Sequence, residues 1–337
     1  MFISEQALCQ ISCFLHRELP IRIAKTVKHL LSSPHFVRSA NMQKVCNSYA
    51  NSFRQLRAAP VPSNPEAREQ YTILLSSLYD FHSSTLISIA KGLREVRSSL
   101  AVDNDSFADT VELQKRIDEF YLSRIGIRML VEQYLELCKP QNPDMIGLVD
   151  LKASPYAIAT EAIADAEYMC KRAHGDAPQV IILGRTDLHF PYVPAHLNYM
   201  LVELLKNSMR ATVELHGIDD MPPIKIVIAD GEDNEDVVIK VSDEGGGIRR
   251  SNINRVWSYL YTTADPGVLE EMLDSESGDM RDFNTSSPLA GLGYGLPIAR
   301  NYARYFGGDL TIMSTEGYGT DGYIYLPRLG SSDTSII

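Results

Sequence analysis

Apolar residues recur every three to four positions through the first 140 residues and then give way to short β-type runs. This switch after Lys139-Pro140 decides what the chain can fold into. Before it, Ile21, Ala24, Val27, Leu30 and Leu31 follow helical spacing. So do Val45, Tyr49, Phe53 and Leu56, then Leu74, Leu75, Leu78 and Phe81, and finally Leu113, Ile117, Phe120, Ile127 and Leu130. Joints rich in Pro, Ser or Asp separate these segments at 32–34, 58–65 and 103–106. Four amphipathic helices with short joints predict an antiparallel bundle. Beyond the switch, 180–183, 224–229, 237–241, 310–313 and 323–326 read as strands, with helices predicted around 155–173, 194–216 and 295–306. The expected fold is α+β: a four-helix bundle over 1–140, helices on one face of a mixed sheet over 141–329, and a short tail over 330–337.

Composition narrows the function classes. The 337 residues carry a formal net charge of -11 and no run of Lys and Arg, so neither nucleic acid nor a membrane surface is expected as a partner. No apolar stretch approaches the roughly 18 residues a membrane span needs. Cys9, Cys13, Cys46, Cys138 and Cys170 have no CxxC spacing, which argues against both a disulfide framework and a zinc site. Met1 to Leu15 is apolar and has no Arg before Arg17, which fits neither a secretory signal nor a transit peptide.

Four motifs in the second half carry the chemistry. In ELLKNSMRA (203–211), Glu203, Asn207 and Arg210 fall on one helical face, with Leu201, Leu204, Leu205 and Met209 apolar. An amide oxygen such as that of Asn207 can ligate Mg²⁺ alongside phosphate oxygens and waters. A carboxylate one turn away can accept a hydroxyl proton. In VSDEGGGI (241–248), a strand ends at Asp243, whose carboxylate can accept a hydrogen bond from an adenine amino group; Gly245 and Gly247 permit close backbone approach. GLGYGL (291–296) opens a predicted helix, where backbone amides favour phosphate oxygens. In GYGT (317–320) a tight turn leads into the last strand, placing Thr320 to support Asp243. Taken singly, these are also a solvated helix face, a tight turn, a common glycine pattern and a hairpin. The segment 264–288, rich in Asp, Glu, Gly and Ser, reads either as a disordered loop or as a mobile cover. No GxxxxGK[ST] loop and no HRDxxxxN string is present.

In this order the four motifs resemble the gyrase, heat-shock ATPase, histidine kinase and mismatch-repair superfamily, with its Bergerat-type ATP site. Longer stretches narrow the resemblance further. FLHRELPIRIA (14–24), FYLSRIGIRML (120–130), ELLKNSMRATVE (203–214), SYLYTTA (258–264), GLGYGLPIARNYARYFGGDL (291–310) and EGYGTD (316–321) are similar to the mitochondrial 2-oxoacid dehydrogenase kinases over residues 10–329. These are the pyruvate dehydrogenase kinases and the branched-chain 2-oxoacid dehydrogenase kinase.

The resemblance implies a protein-serine kinase using ATP and Mg²⁺, with the E1 component of a 2-oxoacid dehydrogenase complex as substrate and pyruvate favoured over branched-chain. It also implies the lipoyl domain of the E2 core as a partner, a homodimer, and the mitochondrial matrix. By position, Glu203 resembles the general base, with Lys206 and His82 in the catalytic set, Asn207 the Mg²⁺ ligand and Asp243 the adenine contact. Arg210, Gly245, Gly247, Thr262, Thr263, Gly291, Leu292, Gly293, Tyr294, Gly295, Leu296 and Thr320 resemble nucleotide-binding positions. A role for His82 requires the bundle to meet the cleft. An ATP-binding regulator without phosphotransfer remains the alternative, although intact Glu203 and Asn207 speak against it. Two departures stand out: Tyr134 replaces a histidine of several relatives, and Trp257 is the sole tryptophan, so the Asp-Trp pair of animal relatives is missing.

Overall fold

The computed structural model describes residues 3–102, 104–140, 142–231, 236–262 and 293–329. Contacts divide the chain into two units. One holds the chain up to Leu148 together with the described residues 258–262, Gly293 and Tyr294; the other holds Val149–Trp257 and the chain from Gly295 on. The sequence shows no break within 141–329, so this partition is information the structure adds.

The first unit is helical: α1 (Glu5–Leu31), α2 (Pro34–Arg38), α3 (Ala40–Ala58), α4 (Pro65–Phe81), α5 (Thr85–Leu100), α6 (Asn104–Ala108) and α7 (Val111–Leu137), then a short strand β1 (Met145–Ile146). The polar joints act as caps. Ser4, Ser39 and Asn64 accept from the backbone N–H groups of Ala7, Met42 and Ala67 at 3.2, 3.2 and 2.9 Å. α1 packs on α3 and α7, α4 on α1 and α7, and α5 on α3.

Two expectations change here. The buried face of α1 is Leu8, Leu15, Leu19, Ile23 and Leu30, whereas Ile21 and Leu31 are exposed, and Leu31 with Ala24, Val27, Ala50 and Phe53 leaves an open, largely apolar strip. α1 carries apolar residues on more than one face, so periodicity alone cannot choose between them. A fifth long helix, α5, also joins the four expected, its core stripe being Leu86, Ile89, Ala90, Leu93 and Val96.

The second unit runs β2 (Val149–Ala153), α8 (Pro155–His174), β3 (Val180–Gly184), β4 (Phe190–Tyr192), α9 (Pro194–His216), β5 (Ile224–Asp230) and β6 (Asp236–Asp243). A 3-10 turn (Arg255–Trp257), α10 (Gly295–Tyr305), β7 (Asp309–Thr315) and β8 (Gly319–Pro327) follow. Five strands form a sheet in the order β3-β5-β6-β8-β7, with β3 and β5 parallel and the other neighbours antiparallel. Strand alternation puts Ile224, Ile226, Ile228, Val237, Ile239, Val241, Ile324 and Leu326 out of solvent. α9 covers β6 and β8, α10 covers β7 and β8, and α8 packs on α9. Lys240, Tyr323 and Tyr325 belong to the alternate positions of β6 and β8, where none is fully buried. The α+β architecture, with helices on one face of a mixed sheet, is therefore as expected.

Each buried aliphatic side chain of this layer contributes about 1.5–3 kcal/mol relative to exposure. Truncating Ile239, in the central strand and fully buried, leaves a cavity that flanking strands cannot close. Ile239→Ala is expected to destabilise the second unit by about 2–5 kcal/mol in urea unfolding. A loss under about 1 kcal/mol contradicts this packing.

Candidate active site

The site is organised by α9, which begins on Pro194, where a missing N–H costs nothing, and ends at Gly217. Its apolar face (Leu197, Leu201, Leu204, Leu205, Met209) presses on the sheet and carries Glu203, Ser208 and Thr212 into burial with it. Only 4% of Glu203 is exposed. Its Oε1 accepts from the Lys206 ammonium at 2.7 Å, and both side chains are shielded. Its Oε2 faces the backbone of Gly295, the first residue of α10; a Cβ there would fall 2.1 Å from that oxygen. A side chain there would push the carboxylate aside, so Glu203 in this position and the start of α10 are in direct apposition. Asn207 is half-buried one turn beyond Glu203, and among the described residues no side-chain hydrogen bond engages its amide. Arg210, a further turn along, pairs with Glu214 at 3.6 Å.

Asp243 is where strand and helix chemistry converge. Its Oδ2 accepts from Ser208 Oγ at 2.7 Å, and its Oδ1 accepts from the backbone N–H groups of Gly245 and Thr320 at 3.0 and 3.2 Å. Burial pushes its carboxyl above the usual carboxylate range, and these three donors oppose that shift. Asp243 and Thr320 are direct partners across β6 and β8, and the Thr320 hydroxyl shares a 3.0 Å hydrogen bond with Ser314. The glycine loop after Asp243 is wedged between α9 and the β7–β8 turn. A Cβ on Gly245 would meet Ala211, and one on Gly247 (φ +69°) would meet the Thr315 carbonyl.

The second unit thus brings together Glu203, Lys206, Asn207, Arg210, Asp243, Gly245, Gly247, Gly295, Leu296 and Thr320. Thr262, Gly293 and Tyr294 group with the helical unit, as does His82. Thr263, Gly291 and Leu292 lie outside the described residues, together with the segment 264–288.

Comparison with known proteins agrees with this layout. Residues 2–150 match the family model described as mitochondrial branched-chain alpha-ketoacid dehydrogenase kinase. Residues 192–330 match that of the histidine kinase-, DNA gyrase B-, and HSP90-like ATPases. The mitochondrial [pyruvate dehydrogenase (acetyl-transferring)] kinase of Arabidopsis thaliana is 43% identical, over 98% of this chain and 87% of its own length. The kinase of that name from Schizosaccharomyces pombe is 44% identical over 78% of this chain and 60% of its own, and that from Ascaris suum 37% over 94% and 78%. The chain belongs to the mitochondrial pyruvate dehydrogenase kinase family.

Two features of this family member escaped the sequence reading. Ser208 supplies the shortest bond to Asp243; its signal was a serine within the apolar stripe of α9, beside the more conspicuous Asn207. The burial of Tyr259, and of Tyr294 within the glycine motif, is the second: both rings lie fully buried in the helical unit, although Tyr294 was expected as a nucleotide-binding position. No spacing rule marks them.

His82 follows the last residue of α4, its ring 4.4 Å from that of Tyr49. Nε2 lies 2.8 Å from Ser52 Oγ and Nδ1 3.3 Å from Thr85 Oγ1. Burial, then the Arg124 and Arg128 guanidinium groups, lower its pKa from 6.5 to about 4, so the ring is neutral at pH 7. Because the folded value lies below the unfolded one, its contribution to stability is complete above pH 6.5 and is lost as pH falls towards 4. The difference corresponds to roughly 3 kcal/mol across that window. Urea unfolding of the wild type is expected to weaken more steeply between pH 6.5 and 4 than that of His82→Gln. Equal slopes contradict a neutral buried imidazole.

Proposed function

We propose that the protein transfers the γ-phosphoryl group of Mg-ATP to a serine of the E1 component of the pyruvate dehydrogenase complex, inactivating it. The observation that carries this reading is the buried Glu203–Lys206 pair against the Gly295 backbone, one helical turn from the open Asn207 amide. The names of the relatives support the substrate.

The residues present fit a magnesium nucleotide. A carboxylate offers about four lone-pair sites. Three on Asp243 are taken, which leaves Oδ2 able to accept an adenine amino hydrogen. The first-turn amides of α10, from Gly295 on, have no acceptor within the helix, and phosphate oxygens are favoured at such a start. The Asn207 oxygen is a hard neutral ligand suited to Mg²⁺. When bound, Mg²⁺ neutralises charge on the phosphate oxygens. Glu203 accepts the proton of the serine hydroxyl as that oxygen bonds to the γ-phosphorus and the bond to the β–γ bridging oxygen breaks, releasing ADP. Lys206 holds Glu203 in one rotamer and balances its buried charge. His82, neutral and hydrogen-bonded to Ser52, belongs to this reading as a support of the base. The same reading makes the lipoyl domain of E2 and a second copy of the chain partners, in the mitochondrial matrix.

The family model matched by residues 2–150 bears the branched-chain name, which favours branched-chain E1 as the second substrate candidate. Labelled ATP incubated with each purified E1 separates the two. Serine labelling of pyruvate E1 is expected, falling by about 10²–10⁴-fold in Glu203→Gln. Asn207→Ala is expected to lose labelling and Mg-dependent ATP binding together. Labelling confined to branched-chain E1 reassigns the substrate; labelling of neither, with ATP binding intact, makes the protein a silent ATP-binding regulator.

A further inference from the structure

The glycine motif that opens α10 contains one aromatic side chain, Tyr294, and it turns away from solvent completely. Its ring lies 6.2 Å from Tyr121 at 69° and 5.8 Å from Tyr259 at 55°, while Tyr121 and Tyr259 stack at 5.0 Å and 15°. Edge-to-face and offset-stacked rings at these separations attract one another beyond their burial. All three belong to the helical unit.

The cluster is fixed by one face of α7. Gln114, Asp118 and Tyr121 are spaced i, i+4 and i+7, so they point the same way. Gln114 Oε1 accepts from the Tyr259 backbone N–H at 2.8 Å, and its Nε2 donates to the Tyr259 carbonyl at 3.4 Å. Asp118 Oδ1 accepts from the Tyr259 hydroxyl at 2.8 Å, and Ser258 Oγ donates to the Ala108 carbonyl at 3.1 Å. Leu260 next to it is buried at φ +65°, a conformation that a side-chain-bearing residue keeps only where its surroundings impose it. Gly293, at φ +75°, lies directly on this segment: a Cβ there would fall 2.3 Å from the Tyr261 carbonyl oxygen. The chain then passes through Tyr294 to Gly295, whose backbone faces the Glu203 carboxylate.

We infer that Tyr294 is a positioning residue for the nucleotide: its ring, gripped by Tyr121 and Tyr259, fixes the backbone of 293–296 and thereby the phosphate-facing amides at the start of α10. The anchor is the ring and not the hydroxyl, since the Tyr294 oxygen is buried with no hydrogen-bond partner among the described residues. Preorganising a loop in its bound shape raises affinity by removing the ordering cost. Losing the ring therefore weakens nucleotide binding and raises the KM for ATP, with a smaller effect on kcat. This inference rests on the nucleotide site proposed above.

The test is calorimetric binding of MgADP to full-length protein and three variants. Tyr294→Phe keeps the ring and is expected to bind within twofold of wild type. Tyr294→Ala is expected to bind about tenfold more weakly or worse. Leu15→Ala removes a fully buried side chain of α1 and serves as the stability control, expected to lower the thermal midpoint while leaving ADP affinity within twofold. If Tyr294→Ala fails to fold, Tyr259→Phe, which keeps the ring and removes the hydroxyl bonded to Asp118, is expected to weaken ADP binding severalfold. Unchanged affinity in the ring-removing variant, or equal weakening in Leu15→Ala, overturns the inference. A wild type that binds no MgADP overturns the nucleotide reading itself, and this inference with it.

Discussion

A carboxylate with only 4% of its surface exposed must have its charge answered locally, and Glu203 constrains everything around it. Lys206, three residues on, supplies the counter-charge from the same helix. The other oxygen faces the backbone of Gly295, where a side chain would displace it. The carboxylate therefore sits beside the first residue of α10, and α10 in turn packs on β7 and β8. The buried carboxylate, the helix start beside it and the sheet are therefore parts of one packing solution.

Asp243 plays the corresponding role at the other end of the site. It gathers Ser208 from α9, the Gly245 amide from its own loop and the Thr320 amide from β8. Three elements distant in sequence thus share one side chain, with its second oxygen left open to a further donor. The glycines that follow let the loop lie flat between α9 and the β7–β8 turn. The position of the Asp243 carboxylate and the β6–β8 register depend on the same contacts, so neither can drift without the other.

Much of this was legible in the sequence because the motifs are local. Glu203 and Asn207 are related by helical spacing, and Asp243 with its glycines marks a strand end. That Thr320 could support Asp243 was readable from the GYGT turn, but a plain hairpin fitted the same residues, and only the β6–β8 register pairs the two. Less legible were features set by tertiary packing. The core face of α1 could not be chosen because the helix is apolar on several sides. Ser208 looked like an ordinary polar residue until the sheet buried it against Asp243. The grouping of Tyr259 and Tyr294 with α7 depends on residues some 140 to 170 positions apart meeting, which no periodicity encodes.

In the proposed function Glu203 and Asn207 serve phosphoryl transfer to a protein hydroxyl and not hydrolysis. Rapid-quench measurement of ADP formed in a single turnover, with and without E1, tests it most directly. ADP is expected to appear one for one with phosphoserine on E1, with only slow ADP release in its absence. ADP released equally fast without E1 would show that Glu203 activates water, and would make the protein an ATPase.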